Sequence, residues 1–168
     1  MSENYIVING KRAELTAEQL KALGLEREIY NPFVRAKDGE SYYFIPTYEV
    51  EGKVVRETEL ESGIDEKRHN SANYCTDREM MKQRALHETL NRLLWRYSME
   101  HKGNEIDLKV PGWCYWIGYD ITNKTFKVYE SFDIRSFGKP YFDTEEIAES
   151  AIKEIIEPFM AEHPDFKL

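Results

Sequence analysis

Two stretches of the sequence have nearly the same pattern: RHNSANYCTDREM at residues 68–80 and RSFGKPYFDTEEI at residues 135–147. In each stretch an arginine is followed six positions later by a tyrosine, and then by a capping residue with a glutamate three positions further on. Such a pair forms a capping box, in which the two side chains satisfy backbone N–H groups at a helix start. The pattern therefore predicts two helix starts, at Thr76 with Glu79 and at Asp143 with Glu146.

The matching positions keep a constant spacing, which indicates one structural unit used twice. Three pairs are each 67 residues apart: Arg68 and Arg135, Tyr74 and Tyr141, Glu79 and Glu146. The strand-like segments YYFI and CYWI that precede them are 72 residues apart, so the second copy has a shorter connection between strand and helix. We interpret this as an internal duplication.

The segments around these stretches predict the other elements. YIVI and KRAEL flank Asn9-Gly10, a dipeptide typical of tight hairpin turns, and TAEQLKALG follows with a capping pair at Thr16 and Gln19. Further hairpins are predicted from Tyr42 to Val50 with VVRETEL, and from PGWCYWIGYDI with TFKVYESFDI. Pro46 restricts the strand predicted from Tyr42 to Val50 to a sheet edge or a bulge. A polar loop is expected after VVRETEL.

Helical periodicity predicts two long amphipathic helices. One runs from Thr76 to about His101, and the other starts at Asp143, with Pro158 expected to terminate or kink it. The predicted fold is therefore α+β, with antiparallel β-hairpins each followed by a covering helix. We expect a small N-terminal ββα unit at residues 1–31 and two larger ones at residues 32–104 and 105–168, packed as one globule.

The charge is acidic and unevenly distributed. The 168 residues carry a formal charge of −8, which disfavours direct binding to nucleic acid backbones. Residues 67–102 hold 8 basic and 4 acidic side chains, net +4, whereas residues 143–163 hold 1 basic and 7 acidic, net −6. We expect the basic long helix to pair with acidic residues of the last helix. The alternative is that each helix presents a charged ridge to partners.

The motifs NYCTDREMMKQRAL and YFDTEEIAESAIKEI resemble a group of accessory proteins from phages and prophages of low-GC Gram-positive bacteria. The resemblance covers roughly residues 40–158. The chain departs from the group's pattern at Ala72, where glycine is usual, and at Met80-Met81, where Glu-Ala is expected. The resemblance implies a phage accessory protein with a role directed at the host, located in the bacterial cytoplasm. It implies no activity.

No residue pattern typical of a catalytic or metal centre is found in the sequence. It contains no phosphate-binding glycine loop and no zinc-binding motif, and its histidines are isolated. Cys75 and Cys114 are interpreted as free thiols, with Cys75 more consistent with core packing than with a nucleophile. We therefore expect no enzymatic activity, no cofactor and no metal.

Four basic residues are candidate anion ligands: Arg68, His69, Arg135 and Lys139. They lie a few positions before the predicted helix starts, where unpaired N–H groups favour anions. Alternatively, the arginines brace the hairpins through backbone carbonyls. A second open interpretation is that Trp113, Tyr115, Trp116 and Tyr119 form a base-stacking surface, although at least half of the rings must be core.

The leading functional hypothesis is a non-enzymatic, acidic, phage-type protein that inhibits a host factor such as a defence nuclease. This class includes anti-CRISPR and other anti-defence proteins that imitate nucleic acid. Its candidate interface residues are all acidic: Glu57, Glu59, Glu61, Asp65, Glu66, Glu145 and Glu149. The alternative is a module that sequesters a small phosphorylated ligand at helix N-termini. The expected partner is a host protein, with no membrane and no direct binding to nucleic acid.

Overall fold

The structure, a computed structural model, describes residues 5–8, 11–23, 31–47, 52–101, 112–132 and 138–167. The chain divides into two compact units, residues 1–32 and 33–168. Helices and antiparallel hairpins occur together, so the predicted α+β class is confirmed. None of the described helices combines the length and the apolar composition needed to cross a bilayer.

The first unit is a hairpin followed by a short helix. Strands β1 (Tyr5–Ile8) and β2 (Lys11–Glu14) pair antiparallel, and α1 (Ala17–Ala22) follows. The backbone N–H of Thr16 donates to Gln19 Oε1 at 2.9 Å, and the N–H of Gln19 donates to Thr16 Oγ1 at 3.2 Å. The predicted capping pair is thus confirmed, whereas the turn at Asn9-Gly10 lies outside the described residues.

The second unit has two further antiparallel hairpins among its described residues. They are formed by β3 (Ser41–Phe44) with β4 (Val55–Thr58), and by β5 (Trp113–Asp120) with β6 (Thr125–Phe132). Its helices are α2 (Gly63–Asn70), α3 (Arg78–Glu100), α4 (Glu145–Ala151) and α5 (Glu157–Glu162). A π-helical turn, Ile152–Ile156, connects α4 to α5 without a break.

Helix α2 lies where the sequence predicts a polar loop, so that prediction is wrong. Its start is a capping box: Ser62 Oγ accepts from the N–H of Asp65 at 3.3 Å, and Asp65 Oδ2 accepts from the N–H of Ser62 at 3.1 Å. The helix is almost entirely polar and buries only Asp65. It lacks the apolar periodicity from which amphipathic helices are identified.

The two hairpins of the second unit are joined to the chain before the next long helix in the same way. Tyr43 and Cys75 form an antiparallel bridge with hydrogen bonds of 2.7 and 3.0 Å, and Tyr115 and Phe142 form one with bonds of 3.1 and 2.9 Å. The bridged positions have the spacings found in the sequence, 72 residues between the tyrosines and 67 between Cys75 and Phe142. That the two units arose by duplication stays a prediction.

Both long helices start one residue later than predicted. The N-cap of α3 is Asp77, whose side chain accepts from the N–H of Met80, and the N-cap of α4 is Thr144, whose side chain accepts from the N–H of Ile147. Thr76 and Asp143, the predicted caps, precede them. Because a residue that can cap stands at both adjacent positions in each copy, the sequence does not distinguish the two.

The core of the second unit lies between the long helices and the β5–β6 hairpin. Partly buried side chains of the hairpin, among them Tyr115 and Ile117, pack against it. The buried residues of this cluster are Leu86, Leu90, Leu94, Tyr97, Phe142, Ala148, Ala151, Ile156, Phe159 and Phe166. Because each fully buried large apolar side chain contributes about 1.5–3 kcal/mol, this cluster fixes the helices on the hairpin.

Pro158 does not terminate the last helix but stands in the first turn of α5, directly after the π-helical turn. A proline inside an α-helix removes one hydrogen bond and its ring clashes with the carbonyl four residues earlier. Here the π-helical turn Ile152–Ile156 immediately precedes α5, and Pro158 occupies its first turn. The wider turn accommodates the proline, and the chain remains helical to Glu162. The predicted termination is therefore wrong, and the distortion is a change of helix type.

Candidate functional site

Arg68 and His69 lie in the last turn of α2 and not in a loop before the long helix, so their predicted location is wrong. The Arg68 guanidinium carbon lies 3.6 Å from the centroid of the Phe44 ring, and its Nη1 donates to the Tyr42 hydroxyl at 2.6 Å. The His69 ring meets the Tyr74 ring edge-on at 5.4 Å. These contacts bind α2 to the β3–β4 hairpin, as in the alternative that Arg68 braces the hairpin, but they are made to side chains and not to the predicted backbone carbonyls.

Two residues of the predicted acidic interface are buried beneath α2. Glu59 is completely buried and accepts from Arg35 at 2.9 Å, from the Tyr74 hydroxyl at 2.7 Å and from the N–H of Glu61 at 2.8 Å. Asp65, 3% exposed, accepts from the Tyr42 hydroxyl at 2.6 Å. Neither carboxylate is available to a partner, which corrects their prediction as interface residues.

The environment of this network sets the ionisation of its members. Hydrogen bonds from Arg35 and Tyr74 lower the pKa of Glu59 against the opposing effect of burial. Burial also opposes ionisation of Asp65, but donors from Tyr42, Ser62 and backbone N–H groups outweigh it and lower its pKa to about 2. Burial, reinforced by Asp65, raises the pKa of Tyr42 to about 12. Neutral phenols therefore donate to ionised carboxylates, a stable arrangement with no proton poised to move.

Of the other two predicted anion ligands, only Lys139 is described, and it contacts the β5–β6 hairpin, whereas Arg68 contacts the β3–β4 hairpin. Arg135 lies outside the described residues. The Lys139 ammonium nitrogen lies 3.7 Å from the centroid of the Trp116 ring, a cation–π contact. The N-termini of α3 and α4 carry Asp77 with Glu79 and Glu145 with Glu146, respectively, and these carboxylates repel an anion.

The aromatic residues of β5 divide between the two faces of the hairpin, as the strand alternation predicts. Tyr115 packs against the core, whereas Trp113 and Tyr119 are exposed. On the opposite face Trp116 stacks on Tyr129 with ring centroids 4.7 Å apart. Cys114, which precedes these rings in β5, is buried and lies 3.3 Å from the hydroxyl of Ser131. Two lysines lie at this face, and one of them, Lys127, is paired with Asp120 at 2.5 Å. Lys139 alone does not form the basic groove that base stacking requires, so no such groove is present among the described residues.

The basic side chains of α3 do not pair with the acidic last helix among the described residues, contrary to the prediction. Arg84 pairs with Glu88 at 2.8 Å, Arg96 lies 3.9 Å from Glu100, and Lys82 pairs with Asp165 beyond α5. Pairs spaced four residues apart along one helix satisfy the charge locally. The glutamates of the last helix are therefore left without cationic neighbours from α3.

These glutamates line the exposed side of a continuous helix, and we call them the acidic helix face. Lys153 is the one basic residue on the exposed side. The members of the face are Glu145, Glu146, Glu149, Glu154, Glu157 and Glu162. Among the described residues no salt bridge joins any of them to a basic side chain. Glu145 and Glu149 were predicted as interface residues and lie on this face.

The exposure of the acidic helix face can be predicted from the sequence, but whether its carboxylates are paired with basic side chains cannot. Glu154 and Glu157 lie off the apolar stripe, so their exposure follows from helical periodicity. Whether they are neutralised depends on which groups α3 offers, and that requires the structure.

Comparison of the chain with protein-family models, with curated proteins and with solved structures finds no match.

Proposed function

We propose that the protein is a non-enzymatic binding protein whose acidic helix face occupies a basic groove that normally holds nucleic acid on a host protein. The observation that carries the proposal is the row of six exposed glutamates without salt-bridge partners among the described residues. Carboxylates that form no salt bridge with the described residues are available to neutralise arginines and lysines of a partner.

The charge density of this face supports imitation of a nucleic acid strand. The helix from Glu145 to Glu162 is about 27 Å long at 1.5 Å per residue, so it carries one glutamate per about 4.5 Å. One strand of duplex DNA carries one phosphate per about 3.4 Å of axis. The helix therefore presents a linear negative charge of comparable density on a rigid rod.

The resemblance to phage accessory proteins favours a defence component of the bacterial host as the partner. Nucleases of defence systems bind DNA or RNA in basic grooves, and an acidic rod that enters such a groove excludes the substrate. The inhibitor then needs no catalytic centre of its own.

The exposed members of the other predicted acidic stretch are a weaker candidate interface. Glu57 lies 3.9 Å from Arg68, and the exposed side chains of Arg56 and Lys67 are next in sequence to Glu57 and Glu66, respectively. The charge there is nearly balanced, so this surface attracts a basic groove less strongly than the acidic helix face. Glu57, Glu61 and Glu66 are therefore the residues for a matched control.

The test is capture of host proteins by three forms of the chain. The first is unmodified, the second carries Glu145→Gln, Glu149→Gln and Glu157→Gln, and the third carries Glu57→Gln, Glu61→Gln and Glu66→Gln. We expect a nucleic-acid-binding protein to be captured by the first and third forms at about 0.1 M salt and lost at about 1 M, where the Debye length falls from about 10 to about 3 Å. Equal capture by all three forms would rule out the acidic helix face.

The sequestration of a small phosphorylated ligand at helix N-termini is not favoured by any observation. Of its described basic residues, Arg68 contacts the β3–β4 hairpin and Lys139 contacts the β5–β6 hairpin, and acidic side chains occupy the starts of α3 and α4.

A further inference from the structure

A cleft of about 460 Å³ opens between α3 and the turn end of the β5–β6 hairpin. Its walls are apolar and come from three elements: Leu90 and Leu94 from α3, Ile117 and Phe126 from the hairpin, and Ile156 from the π-helical turn. The volume lies within the range of roughly 300–1,000 Å³ that is typical of sites for small organic ligands. The acidic helix face has no part in it.

The polar groups around the cleft differ in whether the protein already uses them. Glu88 is held by Arg84 at 2.8 Å, and His87 Nε2 lies 2.9 Å from the carbonyl of Lys167. Lys139 lines the cleft and contacts the Trp116 ring, and it has no carboxylate partner among the described residues. The exposed amide of Asn91 makes no hydrogen bond among those residues.

We propose that this cleft binds a small organic anion with an apolar body, which rests on the aliphatic and aromatic walls while its negative group meets Lys139 and Asn91. Among the described residues, the Asn91 amide makes no hydrogen bond and the Lys139 ammonium contacts a ring but no carboxylate, so both can donate to an anion. The Glu88 carboxylate beside them is already paired with Arg84. Helix α3 adds to this preference, because it carries 5 basic and 3 acidic side chains, a net charge of +2.

The shape of the cleft distinguishes such a ligand from a free inorganic anion. A bare phosphate or sulfate gains nothing from Leu90, Leu94 and Phe126 and loses hydration beside them. A planar aromatic anion covers these side chains and keeps its charged group at the rim. The ligand therefore needs both its apolar body and its anionic group, and the effect of each can be tested separately.

The experiment uses two fluorescent probes with the same ring system. Anilinonaphthalene sulfonate is an aromatic anion, and N-phenylnaphthylamine lacks the sulfonate. Titrations of the full chain are compared with those of Asn91→Trp, which fills the cleft from the exposed side of α3, and of Lys139→Gln. Two controls are Lys139→Arg, which keeps the charge, and Lys124→Gln, which removes an exposed lysine from the turn of the same hairpin.

We expect the unmodified chain to bind each probe at one to one stoichiometry and Asn91→Trp to abolish this binding for both probes. We expect Lys139→Gln to weaken the sulfonate by about threefold to fivefold, the value of one partly exposed ion pair, and to leave the neutral probe unchanged. Lys139→Arg and Lys124→Gln should bind both probes as the unmodified chain does. The proposal is overturned if the unmodified chain binds neither probe, if Asn91→Trp still binds both, or if Lys139→Gln affects both probes equally.

Discussion

Tyr42 and Tyr74 stack with ring centroids 4.0 Å apart and an angle of 13° between the rings, and each hydroxyl donates to a different buried carboxylate. Tyr42 donates to Asp65 on α2, and Tyr74 donates to Glu59 beyond the end of β4. The stack thus joins helix α2 to the β3–β4 hairpin by side chains that are almost completely inaccessible to solvent. Because α2 is charged and offers no apolar surface to pack on the hairpin, these hydrogen bonds hold it in place instead.

Removal of the Tyr74 hydroxyl should destabilise this region strongly. Tyr74→Phe leaves buried Glu59 without one donor and the N–H of Ala36 without its acceptor, so we expect a loss of about 2–3 kcal/mol in the free energy of unfolding. Tyr43→Phe is the matched control, because the Tyr43 hydroxyl makes no hydrogen bond among the described residues. Urea denaturation measures both, and equal stability of the two variants would show that the network contributes little.

Acid should unfold the protein in part through Asp65. Its pKa is about 2 in the folded chain, below its ordinary value of 3.8. A carboxyl whose pKa is depressed on folding contributes stability above its unfolded pKa, and that stability is lost as the pH falls through the folded value. We therefore expect the free energy of unfolding to fall between about pH 4 and pH 2, with Glu59 acting in the same direction.

Asp65→Asn should be less stable than the unmodified chain at neutral pH and should lose less stability between about pH 4 and pH 2. The exposed Asp38→Asn is the control and should follow the unmodified chain. Urea denaturation at a series of pH values gives the comparison. Parallel curves for Asp65→Asn and the unmodified chain would remove Asp65 from the explanation.

Ala72 should be replaceable by glycine with a gain in stability. Its φ is 56°, in the left-handed region that disfavours a side chain with a Cβ. Ala72→Gly should add about 0.5–1 kcal/mol, because the relief of strain exceeds the entropy that glycine adds to the unfolded chain. The neighbouring Ser71, with φ of −83°, is the control position, where glycine should be neutral or destabilising. Thermal unfolding of the two variants decides between them.

Gly118 should not tolerate a larger side chain. A Cβ at this position would lie 2.8 Å from atoms of both the Trp116 and the Tyr129 rings, which stack over the glycine. We expect Gly118→Ala to separate the two rings, to cost about 1–2 kcal/mol and to change the near-ultraviolet circular dichroism. Gly63→Ala, where the added atom meets nothing within 4 Å, should do neither.

The elements with a regular apolar period could be predicted from the sequence. Strand β5 is rich in aromatic and other strand-forming residues, β6 begins with alternating polar and apolar residues, and α3 repeats apolar residues at helical spacing over 23 residues. The predicted positions of these elements are therefore nearly correct. Helix α2 could not be found in this way. Its stability comes from a capping box and from buried polar contacts, and neither produces a period.

The buried network was beyond sequence reasoning for a different reason. Tyr42, Glu59, Asp65 and Tyr74 come from separate segments, and the two hydrogen-bonded pairs are 23 and 15 residues apart. An acidic run such as Glu57 to Glu66 is ordinarily interpreted as a solvated surface, since carboxylates are rarely buried unless paired. The partners that make burial possible become visible only when the hairpin and α2 are placed together.

The central claim is that the acidic helix face takes the place of a nucleic acid strand, and competition measures it most directly. A captured host protein is bound to the immobilised chain, and duplex DNA or single-stranded RNA is added at increasing concentration. We predict that nucleic acid displaces the host protein completely and that the logarithm of the affinity between the host protein and the chain falls linearly with the logarithm of the salt concentration. The triple substitution Glu145→Gln, Glu149→Gln and Glu157→Gln should reduce this affinity roughly tenfold. Simultaneous binding of nucleic acid and this chain to the host protein, with an affinity insensitive to salt, would contradict it.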